Sequence, residues 1–444
     1  MKICFYIDTK IRDLPIAKYL ARKVKKSYVL PIFKSSLVKG VTYKAQRKYS
    51  PDIVITTSFN KGRTQDIAFR AAESSSVLVE FTSEQYFSDV FNSEKLLPWN
   101  INDRYKVDYY FCWGKSYAQK LISVANVPND RIFIIGSPKL ISTAVDIAEQ
   151  SCDTSDNVLL VSDYLFADFD HERLHEWNKE YDLSVPYEEI EVIKKERRSA
   201  IDTANQLCQR GLNVTVRLHP GESPILYQEH LLPSVQLSLG VTPFNQDLEL
   251  ADLVIGYTTT AIFEIVSLKK RFVSLRNHRA LTVNYREFYK DVEKFTTEQL
   301  LNLTNRELKE IGLGLGKTLE YHSANLLTKF NVDVAFVEAC RFILNKKNAN
   351  HVRDQSFPLH ISMRFKCISH LNVIVRSIVI NLSSYSLLPK WVKRKAINMT
   401  NTAHNMNQQD YDDFYSTLND DELLSDEFNF TLSNVGWVYR GTSD

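Results

Sequence analysis

Short apolar runs recur along this chain, each too brief for a core helix and each followed by an amphipathic or polar stretch. Lys2 to Ile7, Tyr28 to Phe33, Asp52 to Thr56, Ser76 to Phe81, Tyr109 to Trp113 and Arg131 to Ile135 read as buried strands. Leu14 to Lys26 and Thr64 to Ala72 space their apolar residues as helices do. Strands that are apolar throughout are covered on both faces, which calls for parallel pairing beneath helices. The pattern predicts a doubly wound α/β domain over residues 1–150.

After a polar break (Gln150 to Asn157, QSCDTSDN) the pattern starts again. Val158 to Val161, Asn213 to Leu218, Ser234 to Leu237, Leu253 to Gly256 and Arg271 to Leu275 read as strands. Tyr187 to Arg210 reads as a long amphipathic helix stopped by Gly211, and Thr260 to Ser267 as a shorter one. A closing helix is expected over Val332 to Lys347. The expected organisation is therefore a second Rossmann-like domain over 151–347 and an extension over 348–444. Ligands of such sheets sit beyond the carboxyl ends of the strands, which points to a cleft between the two domains.

Composition narrows the function classes. The net charge of +2 gives no reason to expect a nucleic-acid partner. Cysteines at 4, 112, 152, 208, 340 and 367 form no CxxC pair, so reduced thiols in a cytoplasmic protein are expected. The apolar start MKICFYIDTK is too short for a signal sequence, and no run reaches the roughly 20 apolar residues of a spanning helix. The extension combines an apolar stretch (VIVRSIVINL) with the basic cluster Lys390 to Lys395, which includes Trp391. Acidic residues from Asp410 to Glu427 follow. The cluster suits either an anionic inner-membrane surface or a packed surface helix.

Most information sits in Val214 to Glu222 (VTVRLHPGE). A buried strand delivers Arg217 and His219 to its carboxyl end, and Pro220 with Gly221 ends the pairing. Histidine and arginine there can donate to phosphate oxygens, although a histidine can equally cap a turn. Downstream, the strand Leu253 to Gly256 leads into Tyr257-Thr258-Thr259-Thr260 and a helix containing Glu264. A helix start among hydroxyls favours a phosphate, and Glu264 is a candidate for a ribose hydroxyl pair.

Taken together, HP followed by DLVIGYTTTAIFE resembles bacterial GT-B surface-polysaccharide transferases. Asp108-Tyr-Tyr-Phe-Cys-Trp-Gly114 and Arg131-Ile-Phe-Ile-Ile-Gly-Ser-Pro138 extend the resemblance, which covers roughly residues 75 to 275. The families include capsular Kdo transferases, bacterial sialyl- and polysialyltransferases and CDP-glycerol glycerophosphotransferases. The resemblance implies two Rossmann-like domains facing across a cleft, with a C-terminal helical extension. It implies a nucleotide-sugar donor, most readily a CMP-linked ulosonic acid, held by Arg217, His219, Pro220, Glu222, Tyr257, Thr258, Thr259, Thr260 and Glu264. It also implies a glycan or lipid-linked glycan acceptor, and Ser137 and Lys139 are further candidate donor contacts. Where several of these families carry Gln-His-Gly, this chain has acidic residues and Gln85.

Glycosyl transfer passes through an oxocarbenium-like state and needs a carboxylate or histidine to accept a proton. Acids at strand ends are Glu80 and Glu84 in the first domain and Asp163 in the second, with Asp8 a further candidate. Under the retaining resemblance Asp163 is the nucleophile and Glu80 or Glu84 the acid/base. Under the inverting one, a single first-domain carboxylate suffices. No metal or cofactor is expected: Asp168-Phe169-Asp170 has a metal-binding spacing but no strand before it. Rival readings are a polyol-phosphate transferase using a CDP-linked donor, a UDP-sugar 2-epimerase of the same fold, and a non-catalytic scaffold.

Overall fold

The computed structural model describes residues 1–7, 10–24, 26–31, 46, 50–57, 67, 71, 74–82, 85, 107–123, 125–137, 156–181, 185–219, 222–239, 244–257, 261–275, 292–313, 332–349, 429–433 and 436–440. The chain divides into two compact units. Met1–Tyr86, Glu94–Pro138 and Leu326–Asp444 form one, and Phe87–Ser93 with Lys139–Asn325 the other.

In the first unit, strands β1 (Lys2–Ile7), β2 (Lys26–Pro31), β3 (Ile53–Thr56), β4 (Val77–Glu80), β5 (Tyr109–Cys112) and β6 (Ile132–Ile134) form one sheet. Its order is β2-β1-β3-β4-β5-β6, and every pairing is parallel. Helices α1 (Lys10–Ala21) and α2 (Lys115–Ser123) are its described helices before the chain leaves the sheet. Most strand side chains whose burial is described are buried, as apolar runs require of a sheet covered on both faces. Thr64 to Ala72, expected as a helix, lies almost wholly outside the described residues.

In the second unit, β7 (Asn157–Val161) is followed by α3 (His171–Tyr181) and the long α4 (Tyr187–Gln209). Next come β8 (Asn213–Arg217), α5 (Ile225–His230), β9 (Gln236–Ser238), α6 (Phe244–Leu250), β10 (Leu253–Gly256), α7 (Ile262–Ser267), β11 (Arg271–Leu275) and β12 (Lys294–Phe295). Helices α8 (Thr297–Asn302) and α9 (Asn305–Leu308) close the unit. The sheet order is β12-β11-β10-β7-β8-β9, again all parallel. Two doubly wound, parallel-stranded Rossmann-like domains, as read from the sequence, are thus present. Strand β12, too short to leave an apolar run, escapes a sequence reading.

Gly211 ends α4 as anticipated, with φ at 87°. Its N–H donates to the Cys208 carbonyl at 2.9 Å and that of Leu212 to Leu207 at 3.3 Å. That is the Schellman closure, and a side chain at this φ would strain it.

Helix α10 (Val332–Ala349) follows the second domain in sequence but packs on the first sheet. Phe336 stacks on Phe5 with centroids 6.3 Å apart and meets Phe111 edge-on, while Phe342 meets Phe133. Asp333 accepts from the Tyr19 hydroxyl and pairs with Lys23. Of the extension only the hairpin β13 (Asn429–Ser433) and β14 (Gly436–Arg440) is described. The expected helical extension, Lys390 to Lys395 and the acids from Asp410 to Glu427 lie outside the described residues. Among those described, no helix is long and apolar enough to cross a membrane.

Candidate functional site

The strand order of the second sheet locates its binding crevice. The chain runs outward from β7 through β8 to β9, then returns across β7 to begin β10. The order reverses at the β7–β10 boundary, and the crevice of such a sheet opens beyond the carboxyl ends of the strands at that point. Val161, Arg217 and Gly256 share one register row at those ends. The residues just beyond are Ser162-Asp163, Leu218-His219 and Tyr257. Close approach of the strands is tolerated at Gly256, where a Cβ would already meet Phe272 at 3.4 Å.

His219 stands exposed beyond β8. Arg217, two residues earlier, is buried and committed to the fold. Its Nη1 lies 2.7 Å from Asp247 Oδ2 and donates to Ser238 at 3.2 Å, and Ser238 donates to the same carboxylate at 2.6 Å. The guanidinium also faces the Phe244 ring at 5.8 Å. It thereby docks α6 against the β8–β9 edge, a partner that spacing in the sequence did not reveal.

Glu222 is buried as well, and both its oxygens are occupied. Oε1 accepts from the Tyr164 N–H at 2.5 Å, and Oε2 from Ser162 Oγ at 2.5 Å and the Tyr227 hydroxyl at 2.6 Å. Burial pushes this carboxyl above its ordinary pKa, against the lowering effect of Ser162, Tyr227, the Tyr164 N–H and the charge of His219. Burial likewise pushes the Tyr227 hydroxyl up. The backbone of Glu222 closes the HP turn by donating to the His219 carbonyl at 2.9 Å.

Asp163 lies half-buried just past β7. Tyr257 is buried with its ring edge-on to Tyr164, centroids 5.3 Å apart, so its ring belongs to the core. Glu264 sits half-buried in the first turn of α7. Pro220, Thr258, Thr259 and Thr260 lie outside the described residues.

The Asp168-Phe169-Asp170 spacing has a structural explanation. Asp168 ends a single 3-10 turn, and its Oδ1 pairs with the buried Arg197 of α4 at 2.6 Å. Asp170 accepts from the Arg173 N–H at 2.8 Å at the start of α3.

In the first domain, Glu80 ends β4 and is buried. Its Oε1 accepts from the Tyr117 hydroxyl at 2.9 Å, and among the described residues Oε2 has no hydrogen-bond partner within ordinary distance. Burial raises its pKa from 4.5 to about 8, with smaller lowering effects from Tyr117 and Thr82. It is therefore mostly neutral at pH 7. Gln85 is buried and continues the ladder where β4 stops. Its amide donates to the Phe111 carbonyl at 2.8 Å and accepts from the Trp113 N–H at 2.6 Å. Ser137 is buried beyond β6, and its hydroxyl has no partner among the described residues. Asp8, Glu84 and Lys139 lie outside the described residues. At the first sheet's own order reversal, between β1 and β3, the buried Asp13 accepts from Thr57 Oγ1 at 2.7 Å.

No protein-family model matches the chain, and a search of curated proteins finds no match. Solved structures of similar fold include a UDP-N-acetylglucosamine 2-epimerase, at 12% identity and TM-score 0.48 over 81% of this chain and 99% of that one. The UDP-GlcNAc 2-epimerase from Neisseria meningitidis bound to UDP-GlcNAc aligns at 13% identity and TM-score 0.44, over 78% of this chain and 100% of that one. The wall teichoic acid polymerase TagF aligns at 11% identity and TM-score 0.48, over 79% of this chain and 90% of that one.

Proposed function

We propose that the chain is a metal-independent glycosyltransferase. It takes a nucleotide-activated sugar, with a CMP-linked ulosonic acid as the leading candidate, on its second domain. The observation that carries this reading is His219, exposed beyond β8 on a turn whose following residues are tied into the domain core. A fixed cation-capable donor at a strand end suits the phosphate of a departing nucleotide. Thr258, Thr259 and Thr260 follow the neighbouring β10 in sequence and supply further donors, and Glu264 is the candidate acceptor for ribose hydroxyls.

In the transfer, an acceptor hydroxyl oxygen of a surface glycan or glycolipid bonds to the anomeric carbon. The bond from that carbon to the phosphate oxygen breaks, and the electron pair leaves with the nucleotide, whose charge His219 meets. The hydroxyl proton passes to a first-domain carboxylate, for which Glu84 is the candidate; in a retaining, two-step transfer Asp163 is the candidate nucleophile. Glu80, neutral at pH 7 and buried, suits proton donation better than proton acceptance.

A thermal-shift panel of CMP, CDP, UDP and GDP tests the reading. Stabilisation by CMP that is lost in His219→Ala is the expected result. Preference for UDP moves the assignment to a UDP-sugar 2-epimerase, and preference for CDP to polyol-phosphate transfer. Binding of none of the four supports a non-catalytic scaffold.

A further inference from the structure

The segment that carries His219 is pinned at two successive residues, and both anchors lie in one short stretch after β7. Glu222 sends its own side chain inward to Ser162, the Tyr164 N–H and, from α5, Tyr227. Ser162 and Tyr227 also lie 2.7 Å apart, so the two hydroxyls and the carboxyl form one compact cluster. Ser223 is held in the opposite sense. Its backbone N–H donates to Asp168 Oδ2 at 3.1 Å, while the other oxygen of that carboxylate pairs with Arg197 at 2.6 Å.

Burying a carboxylate is costly unless several donors meet it, and here three do. Glu222 is buried, and both its oxygens are engaged by partners within the domain. The arrangement is that of a support.

We infer that Glu222, seconded by Asp168, is a positioning residue that holds the His219 turn in its ligand-ready geometry and does not itself touch the donor. The inference rests on the donor-site reading above and deepens it. A preformed donor binds its phosphate without the cost of ordering a loop at the moment of binding. Glutamine at 222 keeps the length and can still accept from Tyr164 while donating to Ser162, whereas alanine removes the acceptor that three buried donors share.

The test compares wild type, Glu222→Gln, Glu222→Ala and Tyr227→Phe. One readout is hydrogen exchange of the 218–224 backbone without ligand, the other CMP affinity by calorimetry on the folded fraction. The expected result is that Glu222→Ala speeds exchange across 218–224 and weakens CMP binding about tenfold or more, that Glu222→Gln recovers both to within about threefold, and that Tyr227→Phe falls between. Equal loss of CMP binding in the Gln and Ala variants, with exchange unchanged, makes Glu222 a direct ligand and overturns the inference. Faster exchange with undiminished CMP binding overturns it too, because the support then does nothing for the site. If wild type itself binds no CMP, the donor reading fails and takes the positioning role with it. That outcome is recognisable because it needs no variant.

Discussion

Glu80 should make the first domain lose stability as pH rises through the neutral range. Its carboxyl titrates at 4.5 when exposed and at about 8 when buried beside Tyr117. Between those values the folded chain holds a proton that the unfolded chain has released, so stability must fall with rising pH. The contribution is fully present below pH 4.5, declines through the window and levels off above about 8. At about 1.4 kcal/mol per pH unit, the whole window corresponds to an upper figure of about 5 kcal/mol, with about 3 kcal/mol already lost at pH 7. Glu80→Gln removes the titration while keeping an acceptor for the Tyr117 hydroxyl and a donor in place of the acid proton. Urea unfolding of both proteins at pH 5, 6, 7 and 8, followed by first-domain tryptophan fluorescence, measures the difference. The variant should be close to wild type at pH 5 and more stable by several kcal/mol at pH 8. Parallel pH profiles for the two proteins would refute the reasoning, since no other group is altered.

Substitutions at two further positions probe packing in the second domain. Gly312 has φ at 76°, and a Cβ there would lie 2.9 Å from the Phe272 backbone nitrogen, which donates to the Gly312 carbonyl. Gly312→Ala should therefore cost about 2–4 kcal/mol in urea unfolding, and a loss below about 0.5 kcal/mol would show that the segment moves freely. Asp247→Ala removes the carboxylate paired with the buried Arg217 guanidinium and should cost about 3–5 kcal/mol, with Asp247→Asn milder because its amide oxygen still accepts. Equal melting temperatures for the Ala and Asn variants would mean that Arg217 finds another partner.

The stretch from Glu80 to Gln85 shows where reading the sequence ran out. The sequence offers its acids as catalytic candidates where several resembling families carry Gln-His-Gly. In the structure Gln85 completes the β5 ladder and Glu80 is a neutral buried acid. Nothing in the composition of the stretch separates these roles. A glutamine that replaces a backbone pairing looks no different in sequence from one that awaits a ligand.

What the sequence alone determined is most of the strands and the burial of the central ones. Apolar runs such as YYFC and LVIG are buried on both faces because no other placement satisfies them, and the parallel doubly wound sheets follow from that. The stop of α4 at Gly211 was equally local, since one backbone angle decides it. Tertiary structure decided the partners. Arg217 belongs to Asp247, 30 residues on, and Glu222 to Tyr164 and Ser162, 58 and 60 residues back. It also laid α10 on the first sheet after the chain had passed through the second domain. Periodicity reports how deeply a residue is buried because burial follows from its immediate neighbours in the chain. Which charge meets which donor depends on strand order and register, and these exist only once the sheet has closed.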